Sequence, residues 1–244
     1  MEHIQTAAAD QLLYKITHDL SATVRALVEL PIWISEDLKD SGVVVSEDIQ
    51  ENLDALTVNG KRLAAMIDSL VTYSQVGKKQ TLGTIDLADM VVTILNAEPL
   101  PRAVIFTTDF TEPSVQFHEP DFTRLCQALI SNAIKHRDAE TRHIWLNITA
   151  ENTWIEVVVQ DDGPGIPPDF REKALKVLSS LKSRDDVEGS GMGLAVADKI
   201  ASHYGGRLTL ETPGSGAKRG LLVRAKIPKP SVTSDMTQKD SASP

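Results

Sequence analysis

Apolar residues near the start of the chain recur at alternating three- and four-residue steps. Leu13, Leu20, Leu27 and Ile34 share one heptad position, and Ile16, Thr23, Leu30 and Asp37 share the other seam position. This spacing predicts a helix with a coiled-coil-like seam over 13–38. Pro31 lies inside it, and a missing donor with a crowded preceding turn predicts a kink there. Asp40, Ser41 and Gly42 end the helix. Ser46, followed by Glu47 and Asp48, supplies an N-cap and a favourable first turn for another. Ile49, Leu53, Leu56, Gly60, Leu63, Ile67, Leu70 and Ser74 continue the same steps, so a second helix of similar length folds back as an antiparallel hairpin. A lone hairpin buries two such stripes poorly. Pairing of two copies as a dimeric four-helix bundle is therefore expected, with an intramolecular partner as the other solution.

Beyond GKKQTLG at 77–83 the period changes. An amphipathic helix is expected from Asp86 to Glu98, and strands over 103–108 and 114–118. Pro120 and Asp121 open a helix through Lys135, with Phe122, Leu125, Leu129 and Ile130 on one face. Strand-like alternation covers 143–150 and 154–160, a long irregular stretch 161–189, and a helix 194–204. Closing strands over 207–211 and 220–227 flank the turn TPGSGAKRG. The fold class is α+β. It reads as a helical hairpin at 1–76, a linker at 77–83, a mixed domain at 84–228 and a disordered Ser/Thr/Pro-rich tail at 229–244.

The net charge of −9 over 244 residues argues against a nucleic-acid partner or an anionic membrane, whose phosphates demand a basic face. One cysteine, Cys126, fits a reducing compartment. No apolar run approaches the roughly 18 residues of a membrane span, and MEHIQTAAADQ has no signal-peptide character. A cytoplasmic protein is expected. The six histidines show no ligand spacing, which leaves a metalloenzyme poorly supported.

Three stretches carry candidate chemistry. DDGPG at 161–165 follows a strand with a carboxylate and glycines, able to accept from an exocyclic amine while a ligand approaches the backbone. GSGMGL at 189–194 opens a helix whose free N–H groups suit phosphate. Asn132, Lys135 and His136 lie within one turn, where an amide oxygen suits magnesium and a cation suits phosphate. Each alone is a weak signal and reads more readily as a tight turn or a satisfied cap; their order together is far more specific.

That combination resembles the ATP-binding domain of sensor histidine kinases, a Bergerat-fold ATPase. LISNAIKH at 129–136 is similar to the N box of that family, VQDDGPGI at 159–166 to its G1 box, and GSGMGLAV at 189–196 to its G2 box. THDLSATV at 17–24 resembles the H box of the bacteriophytochrome-like variety. The resemblance spans about 10–228 and implies an α/β sandwich behind a dimeric four-helix bundle. It implies ATP and Mg2+ as cofactors, His18 as phosphoacceptor with Asp19 as its acidic partner, and Asn132 as the metal ligand. Lys135 and His136 would meet phosphate, and Asp161 would read adenine. Gly163 and Gly165 would shape the adenine side, and Gly189, Gly191 and Gly193 the lid hinge and phosphate side. Lys182 and Arg184 stand where a lid cation reaches the terminal phosphate.

The implied reaction is ATP-dependent phosphorylation of His18, then transfer to an aspartate of a separate response-regulator receiver domain. The rival is a phosphotransfer or scaffold protein with a decayed ATP site. The few residues before the first helix suggest that input comes from a separate sensor protein. Thr23 replaces a proline common in the family, and Ala22 offers no group to orient a hydrolytic water. The aromatic F box is reduced to Leu175 and Leu178. Ala128, where related ATPases carry a glutamate, cannot serve as a general base, so ATP hydrolysis is not the expected main output.

Overall fold

The computed structural model describes residues 2–78, 81–138, 140–177, 191–214 and 219–230, with the side chains of 2–14 and 18 outside the description. In chain order the elements are α1 (Glu2–Asp40), α2 (Glu47–Gln75), β1 (Leu82–Asp86), α3 (Leu87–Ala97), β2 (Ile105–Phe110), β3 (Ser114–His118), α4 (Glu119–Lys135), β4 (His143–Ala150), β5 (Trp154–Asp161), α5 (Pro168–Ala174), α6 (Gly193–His203), β6 (Arg207–Glu211) and β7 (Leu221–Pro228).

α1 and α2 form the hairpin, but not along the leucine seam of α1. Thr17, Val24 and Pro31, seven residues apart, are buried on α1 and face Leu53, Gly60, Ile67 and Ser74 on α2. Leu20, Leu27, Leu30 and Ile34 lie one step round the helix and remain about half exposed. α1 runs through Pro31 without a break. A proline cannot donate to the carbonyl four residues before it, here Leu27. Gly60 sits against that carbonyl: a Cβ on Gly60 would lie 3.1 Å from the Leu27 oxygen. A side-chain-free position thus lets α2 approach the one backbone acceptor that Pro31 strands.

Beyond the hairpin, a five-stranded sheet of order β2-β4-β5-β7-β6 carries helices on one face. β2 lies parallel to β4, and the other pairs are antiparallel. Strict alternation turns Ile144, Leu146 and Ile148 of β4, Ile155, Val157 and Val159 of β5, and Val223, Ala225 and Ile227 of β7 inward. They meet Phe122, Leu125, Leu129 and Ile130 of α4 and Ile200 of α6 in one core. Asp86 caps α3 by accepting from the Asp89 N–H at 2.9 Å. Ser46 occupies the N-cap position of α2 without a side-chain cap bond.

Two elements differ from the sequence expectation. β1 begins at Leu82, inside the stretch read as linker, because Leu82 to Asp86 pair with β3 from His118 to Ser114. α5 interrupts the stretch read as irregular, opening with Pro168 in the first turn, where a missing N–H costs nothing. The tail expected at 229–244 lies largely outside the described residues.

Candidate functional site

The site begins where β5 ends. Asp161 is its last residue and is 8% exposed, at the point where the chain leaves the sheet. Its Oδ1 accepts from the Gly163 N–H at 2.8 Å and the Leu221 N–H at 3.3 Å. Both described bonds fall on one oxygen, which leaves Oδ2 for a ligand donor. Burial pushes the Asp161 carboxyl above the ordinary range, against the opposing pull of those two N–H groups. Asp162, the other half of the pair, turns away. Despite desolvation, the His143 and Arg142 N–H groups hold its carboxyl below the ordinary range, at 3.1 and 2.9 Å. His143 Nδ1 lies 3.5 Å from the second Asp162 oxygen.

The glycines after Asp161 are required by contact. Gly163 is buried, and a Cβ there would stand 2.8 Å from Asp161 Oδ1 and 3.2 Å from Thr141 Oγ1. Gly165 has φ +70° and presses on the Gly220 carbonyl, at 2.5 Å from where its own Cβ would sit. The Gly220 N–H returns a bond to the Gly163 carbonyl at 2.8 Å. The loop 161–166 is thus pinned flat against the start of β7.

Asn132 and Lys135 project from the last turns of α4, and His136 caps that helix with its N–H on the Asn132 carbonyl. Lys135 Nζ pairs with Glu98 Oε1 at 3.3 Å. α6 starts beside this turn: a Cβ on Gly193 would lie 3.6 Å from the Ala128 carbonyl, so two small residues set the approach of α6 to α4. Gly191 has φ +67° and leads into the buried Met192. Lys182, Arg184 and Gly189, and also Leu178, lie outside the described residues. The structure therefore gathers Asp161, Gly163 and Gly165 at one strand end, and Asn132, Lys135, His136 and Gly193 where α4 meets α6.

Sequence reasoning missed Asp138 and Thr141, which stand behind this loop. Thr141 is buried, and its Oγ1 both receives the Asp138 N–H and donates to Asp138 Oδ1, each at 3.0 Å. The signal was an Asp followed three residues later by Thr, a common turn signature that says nothing about what it packs against.

On the hairpin, His18 belongs to α1, and its side chain lies outside the described residues; Asp19 is exposed. The Gly60–Leu27 contact fixes the antiparallel register. Counting back from it sets position 18 level with Ser69 and Leu70, about 8 Å short of the end of α2. The domain carrying Asp161 is attached at that same end.

The structure thus joins a helical hairpin to an α/β sandwich that carries a buried carboxylate and a glycine-pinned loop. Residues 118–231 match the family described as histidine kinase-, DNA gyrase B-, and HSP90-like ATPase. The phytochrome-like protein Cph1 of Synechocystis sp. is 28% identical over 178 residues, covering 71% of this chain and 24% of its own length. Full-length ShkA in complex with AMPPNP matches with a TM-score of 0.65 at 16% identity, over 91% of this chain and 46% of that one. Histidine kinase ThkA in complex with the response regulator protein TrrA matches with a TM-score of 0.60 at 17% identity, over 94% and 65%. These structures share the fold. The chain spans only about a quarter of the length of Cph1. Residues 118–231 match the ATPase domain of this family, and the chain as a whole shares the fold of the ShkA and ThkA structures.

Proposed function

We propose that this chain is an ATP-dependent protein-histidine kinase of two-component signalling. It would phosphorylate His18 and pass the phosphate to an aspartate of a separate response regulator. The observation that carries the reading is Asp161: a buried carboxylate at a strand end, one oxygen held by two backbone N–H groups and the other left for an exocyclic amine. The hairpin bearing His18 joins the same domain. In this reading Asp161 receives the adenine N6 amine, with Gly163 and Gly165 allowing the base to approach. Asn132 holds Mg2+ through its amide oxygen, a hard donor suited to that ion. The bound ion would neutralise phosphate charge. Lys135 and His136 stand at the phosphate side with Gly191 and Gly193; Lys135 must exchange Glu98 for phosphate, a partly exposed pair of small net value.

Phosphoryl transfer of this kind is mostly positioning and charge neutralisation. The γ-phosphorus–oxygen bond to ADP breaks as a His18 ring nitrogen bonds to phosphorus, and Asp19 would hold the opposite ring N–H. Two copies would join through the exposed leucine seam. The response regulator enters by likeness to ThkA, which was captured with TrrA.

The test is incubation of the protein with γ-labelled Mg-ATP. An acid-labile, base-stable phosphoprotein is expected, lost in His18→Ala while calorimetry still detects nucleotide binding. Asn132→Ala should lose the label as well. A His18→Ala protein that labels normally would sink the acceptor assignment. A wild-type chain that binds no ATP would favour the phosphotransfer-protein alternative.

A further inference from the structure

Arg219 stands just before the last strand, after β6, and its guanidinium reaches one backbone carbonyl and two side-chain carboxylates. Nε donates to the Gly163 carbonyl at 3.4 Å, and Nη2 donates to Asp138 Oδ2 at 2.5 Å. Nη1 pairs with Glu140. One side chain therefore ties the β6–β7 turn to the α4–β4 loop and to the loop after Asp161.

Those three segments make the socket of Asp161. Gly163, whose carbonyl Arg219 grips, supplies the 2.8 Å N–H bond to Asp161 Oδ1. Leu221, two residues after Arg219, supplies the second. Asp138, held on its far oxygen by Arg219, binds Thr141 through its near one, and Thr141 Oγ1 backs directly onto Gly163. Charge points the same way. Asp138, Glu140, Asp161 and Asp162 crowd this end of the sheet, and Arg219 is the cation bonded to the first two. Ordinary exposed ion pairs contribute about 0–1 kcal/mol. This one divides a single planar guanidinium among two carboxylates and a backbone carbonyl, a set of directions that a lysine ammonium does not reproduce.

We propose that Arg219 is a positioning residue for base recognition: it locks the three segments that aim Asp161, without itself touching the nucleotide. This rests on Asp161 as the adenine contact. A carboxylate so aimed accepts from the adenine N6 amine and faces repulsion from the carbonyl that guanine carries at the same place, so its aim is read out as base preference.

The experiment is competitive calorimetry of ATP and GTP on the full chain, with Arg219→Gln, Arg219→Lys and Asp161→Asn beside the wild type. Wild type should prefer ATP. Arg219→Gln should reduce that preference about tenfold, mainly by weakening ATP. Arg219→Lys, which keeps a cation against Asp138 and Glu140, should recover part of it. An unchanged preference in Arg219→Gln overturns the proposal, and so does an equal loss of both nucleotides, which marks a general folding defect. If Asp161→Asn keeps the wild-type preference, the adenine reading itself fails, and the role of Arg219 falls with it.

Discussion

Two adjacent carboxylates at the end of β5 are driven apart by their surroundings. Asp161 points into the domain and is pushed up chiefly by burial; Asp162 points out and is held down by the two N–H groups of Arg142 and His143. A carboxyl whose folded pKa is raised keeps its proton longer in the folded chain than in the unfolded one. Stability contributed by the protonated form is present below the unfolded pKa and is lost as pH rises through the folded one. At neutral pH the raised pKa of Asp161 is therefore a cost to the empty protein. Asp161→Asn, whose amide oxygen can still accept from Gly163 and Leu221, should raise the melting temperature at pH 7 while weakening ATP binding and its preference over GTP. The gain should vanish in acid below the ordinary carboxylate range, where wild type is protonated in both states. Melting curves over pH 3–8 check this, and a variant less stable than wild type at pH 7 would contradict it. Asp161 was legible in the sequence because a carboxylate followed by glycines after an alternating strand is a local pattern. Arg219, Asp138 and Thr141 were not: their meeting depends on three loops converging, which no single window encodes.

At the scale of elements, the join between α2 and the sandwich is built around one buried acid. Asp121, fully buried in the first turn of α4, accepts on Oδ2 from the Gly77 N–H at 2.8 Å and the Tyr204 hydroxyl at 3.0 Å. Arg124 Nη1 meets its Oδ1 at 3.0 Å. Gly77 has φ +77° and lies against the His203 ring, where a Cβ would stand 2.3 Å from two ring atoms. Val76 is buried with the core of the sandwich, and Lys199 lies 4.0 Å over the Tyr73 ring. Burial and the Asp121 charge push the Tyr204 phenol up, so it stays a donor throughout the working range. Asp121→Ala would strand three donors, one of them the partly exposed Arg124. A loss of about 2–4 kcal/mol is expected, measured as a lower midpoint of urea unfolding; a loss under about 0.5 kcal/mol would mean water replaces the carboxylate. The long helices and the paired strands β4 and β5 were legible from periodicity. β1 and α5 were not: the seven residues of α5 make only about two turns, and β1 owes its existence to β3 across the chain.

At the scale of the whole molecule, the hairpin carries two apolar stripes where a monomer can bury only one. The sequence seam was legible, but which partner it faces was not, since heptad spacing gives a stripe and not its neighbour. The stripe of Thr17, Val24 and Pro31 packs inside the hairpin, leaving Ile16, Leu20, Leu27, Leu30 and Ile34 of α1 beside Leu56 and Leu63 of α2, each between 40 and 57% exposed. Completing the burial of a half-exposed leucine or isoleucine is worth about 1 kcal/mol. Seven such residues from each of two copies give on the order of 10 kcal/mol, comparable with the 4–15 kcal/mol that association costs. The seam is thus large enough to hold a dimer and small enough for one charge to tip it. Leu27→Glu places a carboxylate in the centre of that seam in both copies, and each must be desolvated for the bundle to close. Sedimentation at micromolar concentration should find wild type as a dimer and Leu27→Glu as a monomer with unchanged helix content. Val58→Glu supplies the control: Val58 is 65% exposed and lies on the opposite side of α2 from the buried stripe at 100° per residue, so its dimer should persist. A wild-type monomer, or equal dissociation by both variants, would remove the seam as the interface. If Leu27→Glu also loses the His18 label while still binding ATP, the acceptor helix of one copy is served by the nucleotide domain of the other; label retained by the monomer would mean that each domain phosphorylates its own hairpin.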